Sequence, residues 1–170
     1  MDDISLSIRS ASVADCELIH QLASEAFPAT YREILTPEQI DYMMSWMYSL
    51  PSLERQMRAE GHRYYIAYAD GVPVGYVSIQ QEGIDLFHLQ KIYVLPAWQG
   101  RGVGGHLFRH AVAQVPTLHP APCRMELNVN RQNPARAFYE HQGMRIVRQG
   151  DFEIGGGYEM NDYIMAMEDK

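Results

Sequence analysis

Leu89-Gln-Lys-Ile-Tyr-Val-Leu-Pro-Ala-Trp-Gln-Gly-Arg-Gly-Val-Gly-Gly-His-Leu107 carries three signals in succession. An apolar, β-branched run ends at Pro96, glycines follow at 100, 102, 104 and 105, and a helical pattern begins. A strand, a glycine-rich turn and a helix start make a site for a phosphate-bearing ligand. Glycines let the backbone come close to an anion, and the unpaired N–H groups of the first helical turn point at it.

Working outward, the flanking sequence alternates between the two periods. Ser5 to Arg9 reads as a short strand. Asp15 caps a helix to about Ala26, with Leu18, Ile19, Leu22, Ala23 and Ala26 on one face. Thr36-Pro37-Glu38-Gln39 starts another helix, with Thr36 at N-cap and Gln39 at the capping-box position. A short helix after Pro51-Ser52 is also compatible with the pattern. Tyr64–Ala69 and Val72–Gln80 flank Asp70-Gly71, a hairpin signal. Phe87–Leu95 is the strand before the glycine turn, and Val103, Leu107, Ala111 and Val115 stripe the helix after it. Met125–Val129 is a strand, Pro134–Gln142 a helix ending at Gly143, and Arg145–Val147 and Tyr158–Met167 close the sheet. The order is β-α-α-β-β-β-α-β-α-β-β, a mixed α/β or α+β domain spanning residues 1–170.

Composition narrows the classes. The chain has 14 basic and 21 acidic residues, a net charge of −7 and no basic run, so a nucleic-acid partner is not expected. An acidic surface favours a cationic substrate. Met1-Asp-Asp-Ile-Ser5 has neither the positive start nor the apolar stretch of a secretory signal, and no run reaches membrane-spanning length. Cys16 and Cys123 lack metal-ligand spacing. The expectation is a cytoplasmic protein with reduced thiols and no membrane partner.

Three patterns compete for the turn. Gly100-x-Gly102-x-x-Gly105 matches a dinucleotide fingerprint, with Glu126 at a ribose-contact distance downstream. However, Pro96–Gln99 separates strand from glycine where that fingerprint needs a tight turn. Gly100-x-x-x-x-Gly105 begins a Walker A pattern, but His106 and Leu107 stand where Lys and Ser/Thr are required. The third pattern, Gln99-x-x-Gly102-x-Gly104, resembles the pyrophosphate motif of the GNAT family of acetyl-CoA-dependent N-acetyltransferases. Ile92-Tyr-Val-Leu-Pro96 is similar to that family's central strand. Asn133-x-Ala135-x-x-Phe138-Tyr139-x-x-x-Gly143-Met144 resembles its second CoA-binding region, with Met144 replacing the usual Phe. Ala29–Leu35 and the tail from Gly157 to Met165 are similar to the bacterial spermidine/spermine-type branch.

The resemblance implies a twisted, mostly antiparallel sheet of six to seven strands, splayed at the middle and flanked by about four helices. It implies acetyl-CoA as cofactor, its pyrophosphate held by backbone from Gln99, Gly100, Arg101, Gly102, Val103, Gly104 and Gly105. Its pantetheine would pair with the backbone of Ile92, Tyr93 and Val94 at a bulged strand. The N–H of Ile92 would face the thioester carbonyl, and Asn133 or Asn130 would contact the cofactor, Asn133 being favoured. Tyr139 is implied as the acid for the leaving thiolate, or as a group that only positions the sulfur. His88, titratable near neutrality, is the candidate base, with a packing role as the competing reading. Glu25, Tyr31, Glu33, His88 and Gln90 are candidate substrate contacts. His106 and His110 sit one turn apart without a third ligand, so no metal is expected.

The reading is therefore acetyl transfer to a small primary amine, a polyamine being the class the charge suggests. A protein Nα- or Nε-acetyltransferase and a non-catalytic acyl-CoA-binding module are the alternatives. A homodimer is left open by the sequence.

Overall fold

A computed structural model describes residues 4–169, so Met1–Asp3 of the N-terminal reading lie outside the described residues. The elements are β1 (Leu6–Ser10), α1 (Cys16–Tyr31), α2 (Pro37–Tyr48), α3 (Leu50–Arg58), β2 (Arg63–Ala69), β3 (Val72–Gly83), β4 (Leu86–Val94), α4 (Val103–Leu118), β5 (Cys123–Asn130), α5 (Ala135–His141), β6 (Arg145–Gly155) and β7 (Tyr158–Asp169). They form one seven-stranded sheet ordered β1-β2-β3-β4-β5-β7-β6. All neighbours are antiparallel except β4 and β5. Among the described residues the α-helices are five, the short one after Ser49 included. Its N-cap Ser49 accepts from the Ser52 N–H at 3.3 Å.

Local chemistry sets most boundaries. Asp70 (φ +50°) and Gly71 (φ +81°) turn the β2–β3 hairpin in the left-handed region that such two-residue turns need. Thr36 caps α2 by accepting from the Gln39 N–H at 3.2 Å. The reciprocal half of the expected capping box is replaced, because Gln39 Nε2 donates instead to the Glu159 carbonyl on β7 at 2.9 Å. That bond ties α2 to the sheet. Tyr42 adds a second tie through its hydroxyl to the Ile154 carbonyl at 2.8 Å. The helix α1 runs past Ala26 and through Pro28 to Tyr31. Tertiary packing carries it there, since Phe27 and Tyr31 are both buried with ring centroids 4.8 Å apart.

Two cores lie on opposite faces of the sheet. Leu107, Phe108, Ala111 and Val115 of α4 pack with Phe87, Leu89, Ile92 and Val94 of β4 on one face. Phe27, Tyr31, Tyr48, Tyr64 and Tyr76 pack under α1–α3 on the other, with Tyr93 against them. At about 1.5–3 kcal/mol for each fully buried large side chain, these two layers dominate folding.

Two irregularities in β4 make the site. Ile79 pairs with Leu89 but Ser78 pairs with Lys91, so Gln90 is an extra, bulged residue. The parallel pairing of β4 with β5 covers only Leu86–Arg124, Phe87–Met125 and His88–Glu126. Beyond His88 the two strands part.

Candidate active site

The seam opened by that divergence is a cavity of about 630 Å³. Leu95 N–H donates to the Val74 carbonyl on β3 at 2.8 Å. Strand alternation then turns the Tyr93 N–H toward β3 and the N–H groups of Ile92 and Val94 toward the seam. The Val94 carbonyl, on that open side, accepts from Gln99 Nε2 at 3.1 Å. An extended amide-bearing chain fits such an edge, as an added strand would.

The helix α4 opens at the same end of the seam. Its N-cap Gly102 sits at φ +84° and Gly100 at φ +78°, where a side chain would strain the backbone by about 1–2 kcal/mol. His106 N–H donates to the Gly102 carbonyl at 3.1 Å. The N–H groups of Val103, Gly104 and Gly105 lie ahead of that bond and have no intrahelical acceptor. Together with the positive end of the helix dipole they suit an anion. The residues present therefore fit a diphosphate carrying an extended amide arm, as acetyl-CoA does. Arg101 does not converge on this turn. Its guanidinium lies over the Trp98 ring, 5.0 Å from the centroid, and the residue is exposed.

Tyr139 enters the cavity from α5, in company with Asn133 and Phe138. Tyr31 and Tyr93 border it from the other face. Burial pushes all three phenols up from their ordinary value, and the neighbouring Tyr31 adds to the effect on Tyr139. At neutral pH each is a protonated phenol. Asn133 Oδ1 accepts from the Ala135 N–H at 2.9 Å, which fixes the start of α5.

Of the residues named from sequence, the cavity brings together Tyr31, Gln90, Ile92, Tyr93, Val94, Gln99, Gly104, Asn133 and Tyr139. Gly100, Gly102, Val103 and Gly105 adjoin it at the start of α4. Glu25 and Glu33 are exposed and outside its lining. His88 is also outside the lining, with Nδ1 3.3 Å from Glu82 Oε1. Glu126 is not free for a ribose. Arg148 and Arg124 reach it at 2.9 Å each and hold its carboxyl below the usual range.

Three residues escaped the sequence reading. Lys91 is buried beneath α2 and α3, and Asn128 of β5 donates diagonally to Asp162 of β7. A signal for Asp162 was present. It alternates with Met160 and Ile164, so a carboxylate occupies an inward position.

The fold and the seam define a CoA-dependent acyltransferase architecture. Residues 32–156 match the acetyltransferase (GNAT) domain family, and the chain belongs to it. It is an acyltransferase that uses acetyl-CoA. It is 26% identical over 157 residues to an uncharacterized N-acetyltransferase of Mycobacterium tuberculosis, covering 92% of this chain and 99% of the relative. It is 25% identical over 148 residues to the spermidine N(1)-acetyltransferase of Thermoplasma acidophilum, covering 84% of this chain and 90% of the relative. Among solved structures, the PaiA N-acetyltransferase of Thermoplasma acidophilum in complex with coenzyme A superposes with a TM-score of 0.78. The match has 24% identity and covers 97% of this chain and 99% of the other.

Proposed function

We propose that the protein transfers the acetyl group of acetyl-CoA to the primary amine of a small cationic acceptor, by direct attack when both are bound. The observation that carries this reading is the meeting of three features in one cavity: the open edge of β4, the free N–H groups of α4 and the Tyr139 phenol. Acetyl-CoA supplies an activated carbonyl and a thiolate leaving group. The N–H groups of Gly102–Gly105 hold its diphosphate, and the seam-facing backbone of Ile92 and Val94 holds its arm. Negative charge developing on the carbonyl oxygen is stabilised by the Ile92 N–H, a fixed donor that needs no reorganisation. Tyr139 gives the departing sulfur its proton.

The net charge of −7 raises the local concentration of cations and favours a polyamine-class acceptor. The likeness to a spermidine acetyltransferase points the same way. The test is CoA release over a panel of polyamines, other small amines, amino acids and peptides. Polyamine turnover with Tyr139→Phe lowering kcat about 10²-fold is the expected result. Acetyl-CoA binding without turnover of any amine would make the protein a binding module, and turnover of peptides alone would make it a protein acetyltransferase.

A further inference from the structure

Asp162 lies in β7 opposite Asn130 of β5, and only 6% of it is exposed. Its Oδ2 accepts from Asn128 Nδ2 at 3.2 Å. Its Oδ1 is buried and has no partner among the described residues. Two other buried side-chain atoms share that condition, on His62 and Ser78. Ser78 is neutral, and burial takes His62 down to about 4, so it too is neutral at pH 7. Asp162 alone of the three is an acid, and its unpartnered atom is a carboxyl oxygen.

The nearby cation does not answer it. Arg131 sends Nη2 to Asp151 Oδ1 at 2.8 Å, and Nη1 to the Gly150 carbonyl at 3.2 Å and the main-chain carbonyl of Asp162 at 3.4 Å. Burial holds the Asp162 carboxyl above the usual range, against the Asn128 hydrogen bond and the Arg131 charge, which pull it down. Its charge is felt at Tyr31, on the end of α1.

The location relates this carboxylate to the seam. Asn128, which holds it, lines the cavity that contains Tyr31 and Tyr139. Asn130, its register partner, lines a second cavity of about 390 Å³ under Gln39 and Glu159. Asp162 itself lines neither space and reaches each only through one of these asparagines, lying directly behind Asn128 in the wall of the seam. A buried carboxylate oxygen without a donor weakens a fold, and Asn at the same position would remove the charge part of that penalty. A bound alkylammonium provides both missing elements, a positive charge and an N–H donor.

We propose that Asp162 is the acceptor-amine residue: it receives the alkylammonium of the substrate and takes the proton that frees the nitrogen for attack. This rests on the amine-acetylation reading above. The proton balance closes. The ammonium gives one proton to Asp162, which passes it to solvent. The nitrogen forms the C–N bond, the C–S bond breaks with its electron pair on sulfur, and Tyr139 protonates that sulfur. Tyr139 regains its proton from the second one the nitrogen loses. The acceptor therefore arrives as a cation, which selects alkylamines over amines that are neutral at pH 7.

The test compares wild type with the isosteric Asp162→Asn on two nucleophiles, an alkylamine and an arylamine that is neutral at pH 7. For the alkylamine, kcat/KM of the variant falls 10²-fold or more at pH 7.5. The deficit shrinks about tenfold per pH unit as the free amine accumulates, because deprotonation is then done by solvent. Arylamine turnover and the acetyl-CoA Kd change less than threefold. The melting temperature stays level or rises, since a buried charge has gone. Asp162→Ser gives the same split. Alkylamine kcat/KM within threefold of wild type overturns the proposal and leaves the function standing. Equal losses on both nucleophiles, or failure of both variants to fold, make the carboxylate structural and also overturn it. Wild type that binds acetyl-CoA but acetylates no amine overturns both readings.

Discussion

Lys91 provides a quantitative test of how the layer under α2 and α3 is held. It is 6% exposed, and burial takes its ammonium from 10.5 down to about 7. Its Nζ donates to Tyr64 Oη at 2.5 Å, Gln56 Oε1 at 2.9 Å and the Met47 carbonyl at 3.3 Å. It also lies 4.4 Å from the Tyr48 ring centroid. No carboxylate touches it among the described residues. At 1.36 kcal/mol per pH unit, the depression corresponds to about 5 kcal/mol of stability. Below about pH 7 the amine is charged in both folded and unfolded chains, and the whole penalty is present. Between about 7 and 10.5 the folded protein has released the proton while the unfolded chain keeps it, so stability rises with pH. Lys91→Met keeps the volume and removes the titration. Urea unfolding at half-unit steps from pH 7.5 to 9.5 should show wild type gaining on the variant by about 1.4 kcal/mol per unit, roughly 2–3 kcal/mol in all. That is about 5–10 °C in Tm for a chain of this size. The offset between the proteins also contains lost hydrogen bonds, but the slope does not. Parallel pH curves for the two proteins would refute the reasoning.

Two other substitutions probe the helix start and the sheet. Gly102→Glu places a side chain at φ +84°, a strain of about 1–2 kcal/mol, and a negative charge beside the diphosphate. Calorimetry should find acetyl-CoA affinity lost in a folded protein, and retained affinity would contradict the anchor. Glu126→Gln removes a carboxyl that Arg148 and Arg124 hold below 4.5, so wild type should be the more stable above about pH 4.5 and lose that margin as pH falls further. The margin is about 1 kcal/mol at most, because both arginines are partly exposed, and equal unfolding midpoints at pH 7 would count against the ion cluster.

Much of the architecture was legible because periodicity and turn chemistry agreed. Asp70-Gly71, Thr36-Pro37 and the glycine turn each specify backbone geometry within a few residues. What the local pattern does not mark depends on pairing between distant segments; the resemblance implies a bulged strand but not the bulged residue. The bulge at Gln90 inverts the alternation of β4, so Ile92 shares a face with Phe87 and Leu89 rather than with His88. No local signal marks that step, and it alone sends Lys91 under α3. Similarly, β6 extends to Gly155 although Arg145–Val147 was all that read as strand, since its partner β7 supplies the pairing that a sequence of Arg, Gln, Gly and Asp does not advertise. Gln39 abandoned its capping box for a strand 120 residues away. The cofactor side of the site was readable because backbone geometry there demands glycine. On the proposed acceptor side Tyr31 is named from the sequence, whereas Asn128 and Asp162 are not, because they meet only through the pairing of β5 with β7.

Lys91 and Asp162 sharpen that distinction. Each is a buried ionisable group with no opposite charge in contact among the described residues, and burial disfavours its charged form. They are not a latent pair, because neither contributes to the other's altered proton affinity. The difference lies in satisfaction. Lys91 has three donors and three acceptors beneath α2 and α3, so its polar atoms are partnered even though burial favours its neutral form and the residue also lines the seam. Asp162 keeps one oxygen with nothing to accept, next to the residue that lines the seam. A satisfied buried charge explains itself as structure. An unsatisfied carboxyl oxygen directly behind a cavity wall lowers stability without any return from the fold, and a ligand that brings a positive donor would complete it.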